Sequence, residues 1–374
     1  MLIYFGIQLI HPNYIYVIAF FLTIMFSSLT GTSWGSIGTI GVVIISISLM
    51  INADIGITAG AIIGGAYFGD KLSPLSDTTN LAAIATNVGV TTHIRSMLVT
   101  TLPSAFLAAL IFFLLGISNN SNIMLNSSNL KPILDGIISM FNFNSLLLLP
   151  PIIVLFGSLN GMKIIPIFLI SSCLSIILCL IFQSFSFHDI FISLYKGFNI
   201  NMSLNPKITN EDQELFKNLF NRGGVYAMKE VIFFTFMVLI FVGSNELIGS
   251  IKRTINKILR FIKYKYELII FSLFASAFTN SLTSNQSATS FIVGESLSEK
   301  FNSAKISRNI LSRSIEDYGT ILESLIPWHA STYYITQTIN VPIEQYWRWH
   351  FFALINIIIA PLIILLQKKY RKVI

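Results

Sequence analysis

Charge is what this sequence has least of. Lys, Arg, Asp and Glu make up 11% of its 374 residues against 53% hydrophobic, too little polar surface to cover a soluble globule of this size. The chain is therefore expected to be an integral membrane protein. Its 24 Lys+Arg against 17 Asp+Glu would suggest nucleic acid in a soluble chain. In a membrane chain, loop charges instead record orientation through the positive-inside bias, and no nucleic-acid partner is expected. Cysteine is almost missing: Cys173 and Cys179 lie six apart in the apolar run from Ile164 to Phe185 without a His or Cys cluster. They read as packing residues, which argues against a disulfide or metal site. No His-Glu-x-x-His or Gly-x-Ser-x-Gly pattern occurs, so an intramembrane enzyme is not expected. The start "MLIYFGIQLIHPNY" lacks a basic n-region and a small-residue cleavage site, so its apolar run reads as retained.

What is present is a series of apolar runs near the roughly 20 residues that span lipid. Clear helices are expected at 95–116, 163–185, 226–248 and 346–367, with a shorter one at 145–160. Two longer runs, 14–50 and 266–297, are interrupted by "GTSWGSIG" and "TNSLTSNQSATS" and read as broken helices. Two more, 55–68 and 304–316, lead into the polar stretches 69–80 and 316–332 and read as helical hairpins with polar tips. The fold class is all-α, a polytopic membrane protein.

The order of these pieces repeats. Each copy reads broken helix, hairpin with an acidic tip, short segment, then a long helix with a proline, Pro103 or Pro361. The basic segment 251–265 and the tail residues Lys368, Lys369, Arg371 and Lys372 orient the chain, and both are expected on the cytoplasmic side with the C-terminus. The two copies then run in opposite senses, an inverted repeat. The division follows: 1–116 a first, incomplete repeat, 117–225 connecting helices and an outer loop, 226–367 the second repeat, 368–374 a basic tail. One tension is left, since Lys300, Lys305 and Arg308 fall on the outer side of this trace.

A broken helix at membrane depth leaves amides and carbonyls that only protein or a polar cavity can satisfy. In inverted-repeat folds such breaks meet near the midplane, where oxygens can replace the water shell of a small cation. Ser73, Ser76, Asp77, Thr78, Thr79 and Asn80 from one copy, with Asn280, Thr283, Asn285, Gln286, Asp317 and Thr320 from the other, offer oxygen donors around one or two charges, a set suited to Na⁺. The expected Na⁺ ligands are Asp77, Thr78, Asn80, Asn285 and Asp317. A carboxylate removed from water also binds H⁺, so cation and proton can compete for one group.

The segments "GAYFGDKLSPLSDTTNLAA", "GTSWGSIG", "LFNRGG", "LTSNQ" and "RSIEDYGTILESLIPW" together resemble the NhaC family of Na⁺/H⁺ antiporters, across essentially the whole chain. The resemblance implies secondary active transport by alternating access in a bacterial inner membrane, with Na⁺ and H⁺ exchanged and no cofactor. Some relatives move organic anions such as malate and lactate, or amino acids, and that reading stays open, as does a homo-oligomer. The family's acidic motif residues carry over onto Asp70, Asp77, Glu316 and Asp317. This sequence departs from the second motif: Tyr318 replaces a small residue, and Glu323-Ser324 replaces a Ser/Thr-Pro pair, adding an acid and removing a proline. Family members also carry spans before the first broken helix, so a shortened N-terminus is expected.

Plainer readings stand beside these. Asp70 and Lys71 fit a hairpin turn in headgroups, Asp77 a helix N-cap, and Glu316 a partner of Arg313. His93, His329 and Trp328 read as interfacial side chains, Arg95 as an orientation anchor, 210–224 as a short amphipathic helix, and 251–265 as a cytoplasmic surface helix.

Overall fold

The plan of the fold is set at Gly31 and Ser284, where the chain reverses. The computed structural model describes residues 4, 11–118, 127–160, 162, 164–203, 216, 217, 220, 221 and 223–366, and among these every regular element is helical. Gly31 ends helix α1 (Ile15–Thr30) in the left-handed region, φ 68°, with its N–H on the Ser27 carbonyl at 2.8 Å. Thr32 then turns extended and accepts from Gly35 N, opening α2 (Ser33–Met50). Ser284 repeats the device between α12 (Lys265–Thr283) and α13 (Gln286–Ser303), with φ 47° and Asn285 Oδ1 accepting from Ala288 N at 2.9 Å. A left-handed residue followed at once by an N-cap ends one helix and starts the next in two residues.

Neighbouring contacts fix the direction taken after each reversal. Helix α1 runs parallel to α3 (Ile55–Leu72): Gly65 lies on the Phe20 carbonyl and Gly69 on that of Ile24, both too close for a Cβ. Helix α2 runs antiparallel to α3, with Ser48 and Thr58 hydroxyls 2.7 Å apart and Gly41 against Ile62. Helices α1 and α2 are thus the arms of a hairpin, and Asp54 N donates to the Tyr16 hydroxyl where the arms begin. In the second unit α12 lies alongside α14 (Arg308–Tyr318), with Asn280 on the Gly319 carbonyl, and α13 returns antiparallel, with Gln286 on the Ile315 carbonyl.

The broken elements are therefore the other pair. Helix α4 (Asp77–Ala85) does not fold back on α3; it packs on α13 and α14, with Gly294 against Ala85. Likewise α14 continues through the 3₁₀ turn Thr320–Leu325 into α15 (Ala330–Ile339), which packs on α2 where Gly38 meets Tyr334 and Thr338. So 14–50 and 266–297, expected as broken helices, are hairpins, and the runs 55–68 and 304–316 with their polar stretches 69–80 and 316–332, expected as hairpins, belong to broken spans. Small and polar residues signal an interruption without saying whether the chain turns back.

The exchange removes the tension in the charge trace. Helix α13 returns to the face where α12 began, so Lys300, Lys305 and Arg308 share that face with the amphipathic helix α11 (Ser250–Leu259). That helix buries Ile251, Ile255 and Leu259 and pairs Lys252 with Glu295 at 3.1 Å. Arg95 belongs to the same face, since Ser96 beside it donates to the Asn309 carbonyl.

Among the described residues, five helices are long and apolar enough to cross a membrane, or seven counting two bent pairs. They include α5 (Val90–Ser118), α8 (Ile164–Phe182, following α6, Ser127–Met140, and α7, Leu149–Leu159) and α10 (Lys229–Ile248, after α9, Phe187–Lys196). The last span, α16 (Phe351–Leu366), is bent by 50° from Ile343–Trp349. The basic tail and residues 210–215 lie outside the described residues.

Single cysteines test the reversal at Ser284, in a background with Cys173 and Cys179 replaced by serine. S303C and S250C are expected to label with an impermeant maleimide from one side of the membrane and S118C only from the other. Labelling of S303C and S118C from a common side would instead make α12–α13 a crossing.

Candidate ion-binding cavity

Both hairpin turns and both span breaks meet around one cavity of about 300 Å³. Thr32, Ser33 and Trp34 enter from the first turn and Ser284 to Ser287 from the second. Asp70, Asp77 and Thr78 come from the first break, and Thr320, Glu323, His329, Ala330 and Ser331 from the second. Thr235 and Val238 of α10 close one wall. Among the described residues, no lysine or arginine lines it.

Local folding places each group. Asp70 sits in the last turn of α3, 2% exposed, and its Oδ1 has no hydrogen-bond partner among the described residues. Thr320 Oγ1 is likewise buried and unpartnered. Asp77 is exposed at the first position of α4, its Oδ1 accepting from Thr78 N at 2.9 Å. Glu323, 6% exposed, accepts from Ser331 Oγ at 2.7 Å and from the Tyr67 hydroxyl at 3.4 Å. His329 caps α15: its Nδ1 accepts from Ser331 N at 3.0 Å while Nε2 lies 3.1 Å from Asn280 Oδ1. Trp34 stacks on Tyr334 with ring centroids 4.4 Å apart and donates from Nε1 to Ser331 Oγ, forming a rigid wall between the units.

The helix ends add a directional field. Helices α2, α4, α13 and α15 start at the cavity, and α1, α3, α12 and α14 end beside it. Amides and carbonyls therefore face one space from opposite helix poles, an arrangement that can hold a carboxylate and a cation together.

Residues 65–367 match the Na⁺/H⁺ antiporter family. The chain belongs to that family. It is 36% identical over 360 residues to an uncharacterized Na⁺/H⁺ antiporter of Haemophilus influenzae, covering 96% of this chain and 76% of that protein. Identity to the Na⁺/H⁺ antiporter NhaC of Bacillus subtilis is 30% over 364 residues, 97% of this chain and 78% of the relative. The malate-2H⁺/Na⁺-lactate antiporter of Bacillus subtilis is 28% identical over 362 residues, 96% and 75% of the two chains.

In this family member the residues named from sequence fall into three groups. Asp70, Asp77, Thr78, Asn285, Gln286 and Thr320 line the cavity. Ser73, Ser76, Thr79, Asn80, Asn280 and Thr283 shape its walls. Ser76, not Asp77, is the N-cap of α4, its Oγ accepting from Thr79 N; Thr79 Oγ1 donates to the Lys71 carbonyl at 3.1 Å. Ser73 Oγ accepts from Leu75 N, Asn80 Nδ2 donates to the Ser76 carbonyl at 2.6 Å, Asn280 Nδ2 reaches Gln286 Oε1, and Thr283 Oγ1 donates to the Asn285 carbonyl.

Asp317 and Glu316 lie behind the cavity. Asp317 Oδ1 is ion-paired to Lys71 and accepts from Thr100 Oγ1 at 3.0 Å, while its Oδ2 is 3.8 Å from Arg313 Nε. Glu316 is fully buried, and among the described residues neither of its oxygens has a hydrogen-bond partner. The expected Na⁺ set is thereby divided: Asp77, Thr78 and Asn285 face the cavity, Asn80 is tied into the tip, and Asp317 is held by two cations.

Sequence reasoning left Glu323 outside its ligand set, gave Lys71 no partner and placed His329 at the membrane surface. All three are buried, as is His93, whose Nδ1 lies 2.8 Å from Ser312 Oγ. The signal for Lys71 was available: an ammonium inside an otherwise apolar run needs a buried counter-charge.

Removing one partner of a buried ion pair strands the other, at about 3–5 kcal/mol, whereas replacing both with apolar groups is near neutral. Asp317→Asn and Lys71→Met are each expected to lower the melting temperature in detergent substantially, and the double variant K71M/D317L to recover most of the loss. Single variants that melt with the wild type would show that the pair bears no structural load.

Proposed function

We propose that this protein exchanges Na⁺ for H⁺ across a bacterial inner membrane by alternating access. The observation that carries the reading is Asp70, a buried carboxylate with one oxygen unpartnered among the described residues, in a cavity that no described lysine or arginine lines and where every interruption of the two units meets. A bare carboxylate in such a space is costly, so it holds either a proton or a cation. Thr320, Asn285 and the carbonyl ends of the helices supply the oxygen ligands Na⁺ prefers, and Asp77 at the mouth draws the cation in. Only Na⁺ and H⁺ are needed, with no cofactor. The face bearing Arg95, Lys252, Arg253, Lys257, Lys300, Lys305 and Arg308 is cytoplasmic by the positive-inside bias, and the C-terminus lies on that side.

A second reading has its own support. The helix N-termini that open at the cavity would favour the carboxylate of a small organic anion or amino acid bound beside the cation. Proteoliposomes with an internal pH dye separate the two: Na⁺, Li⁺, K⁺, malate and lactate are added in turn. A response to Na⁺ alone supports Na⁺/H⁺ exchange, and a response that needs malate or lactate supports the second reading.

Asp70→Asn, which keeps size and one oxygen but cannot titrate, is expected to abolish Na⁺-driven proton movement in protein that still inserts. Asp77→Asn is expected to keep exchange with a KM for Na⁺ raised several-fold. Wild-type exchange in D70N would remove Asp70 from the site.

A further inference from the structure

Behind the cavity the buried charges balance. Lys71 and Arg313 stand against Asp317, and Glu316 lies in the field of Lys71, so two cations meet two carboxylates. In front they do not. Asp70 and Glu323, with Asp77 at the exposed mouth, line the same cavity, and among the described residues no lysine or arginine lines it with them.

Glu323 is held for a purpose. Hydrogen bonds from Ser331 of its own broken span and Tyr67 of the opposite unit aim its carboxylate. The charged groups facing it are Asp70 and Glu316, both acids; His329 on its own span is engaged with Asn280 and with Ser331 N. The unpartnered Asp70 Oδ1 and Thr320 Oγ1 are buried in the same space, so the polar network there is open to a guest.

Of the three carboxylates lining the cavity, Asp77 is exposed to water at its mouth, but the two buried ones, Asp70 and Glu323, cannot both stay bare. Two protons neutralise them when Na⁺ is absent. One Na⁺ neutralises only one charge, but the helix N-termini at the cavity, each worth about half a positive charge, help offset the other. We propose that Asp70 and Glu323 act as a pair that gives up two protons for each Na⁺ bound, so that Glu323 sets the coupling ratio and makes the exchange electrogenic. Both protons leave to water on the side to which the cavity is open, Na⁺ takes their place, and the reverse occurs on the other side. One net positive charge thus crosses per cycle, opposite to Na⁺. The proposal rests on the Na⁺/H⁺ reading above; the family motif that this chain resembles has no acid at position 323.

The test uses the purified full chain in weakly buffered detergent, titrated with NaCl while a pH dye counts released protons, with choline chloride as control. Wild type is expected to release about two protons per protein at saturation and E323Q about one. In proteoliposomes an inside-negative potential should speed Na⁺ efflux by wild type and leave E323Q unchanged. About one proton from wild type, or still about two from E323Q, would overturn the pairing. No Na⁺-driven release from wild type at all would remove the Na⁺/H⁺ reading itself. If E323Q is not monodisperse, E323D decides: about two protons with several-fold weaker apparent Na⁺ affinity supports the pair, and unchanged affinity refutes it.

Discussion

Everything in this structure depends on one constraint: a helix interrupted at membrane depth must have its loose amides and carbonyls satisfied by protein. The chain interrupts itself at Gly31, at Ser284, between Leu72 and Asp77, and around Gly319. Each interruption is closed locally, by Thr32, Ser76, Asn285 and His329 capping the helix that follows. Gathering the four in one place keeps them from lipid, and the groups left over become the lining of a polar cavity. The site and the solution to the backbone problem are one structure.

The Lys71–Asp317 pair divides that polar interior. It joins α3 of the first unit to α14 of the second, and Thr100 and Asn356 add bonds from α5 and α16. Charges that hold the units together are thereby kept apart from those that line the cavity. Adjacent residues serve different sides of the divide: Asp70 opens to the cavity and Lys71 closes away from it, because successive side chains on a helix point about 100° apart.

Much of this was legible in the order of residue types. The apolar spans at 95–116 and 163–185 fall within a few residues of Val90–Ser118 and Ile164–Phe182, because lipid exposure demands long apolar stretches and nothing else. The meeting of "GTSWGSIG", "SDTTN" and "LTSNQ" around a cavity also followed, since polar interruptions have nowhere else to go. The sense of the chain after Gly31 and Ser284 did not follow, because a turn back and a continued span use the same small and polar residues. Nor did the partner of Asp317, which lies 246 positions away with no local sequence signal. Glu323 stood out as an extra acid, yet its hydrogen-bond partners Tyr67 and Ser331 are brought to it only by the folded chain.

The reversal at Ser284 bears on how the protein is made. Neither Lys265–Thr283 nor Gln286–Ser303 is among the helices apolar enough to span lipid unaided. A translocating chain would not release such arms sideways into the bilayer on their own merits. They are seated against α4, α14 and α16, and the last two of these are synthesised after them. The second hairpin is therefore shielded by protein on all its packed faces only once α14 and α16 are in place, so its seating depends on Phe351–Leu366 having been made.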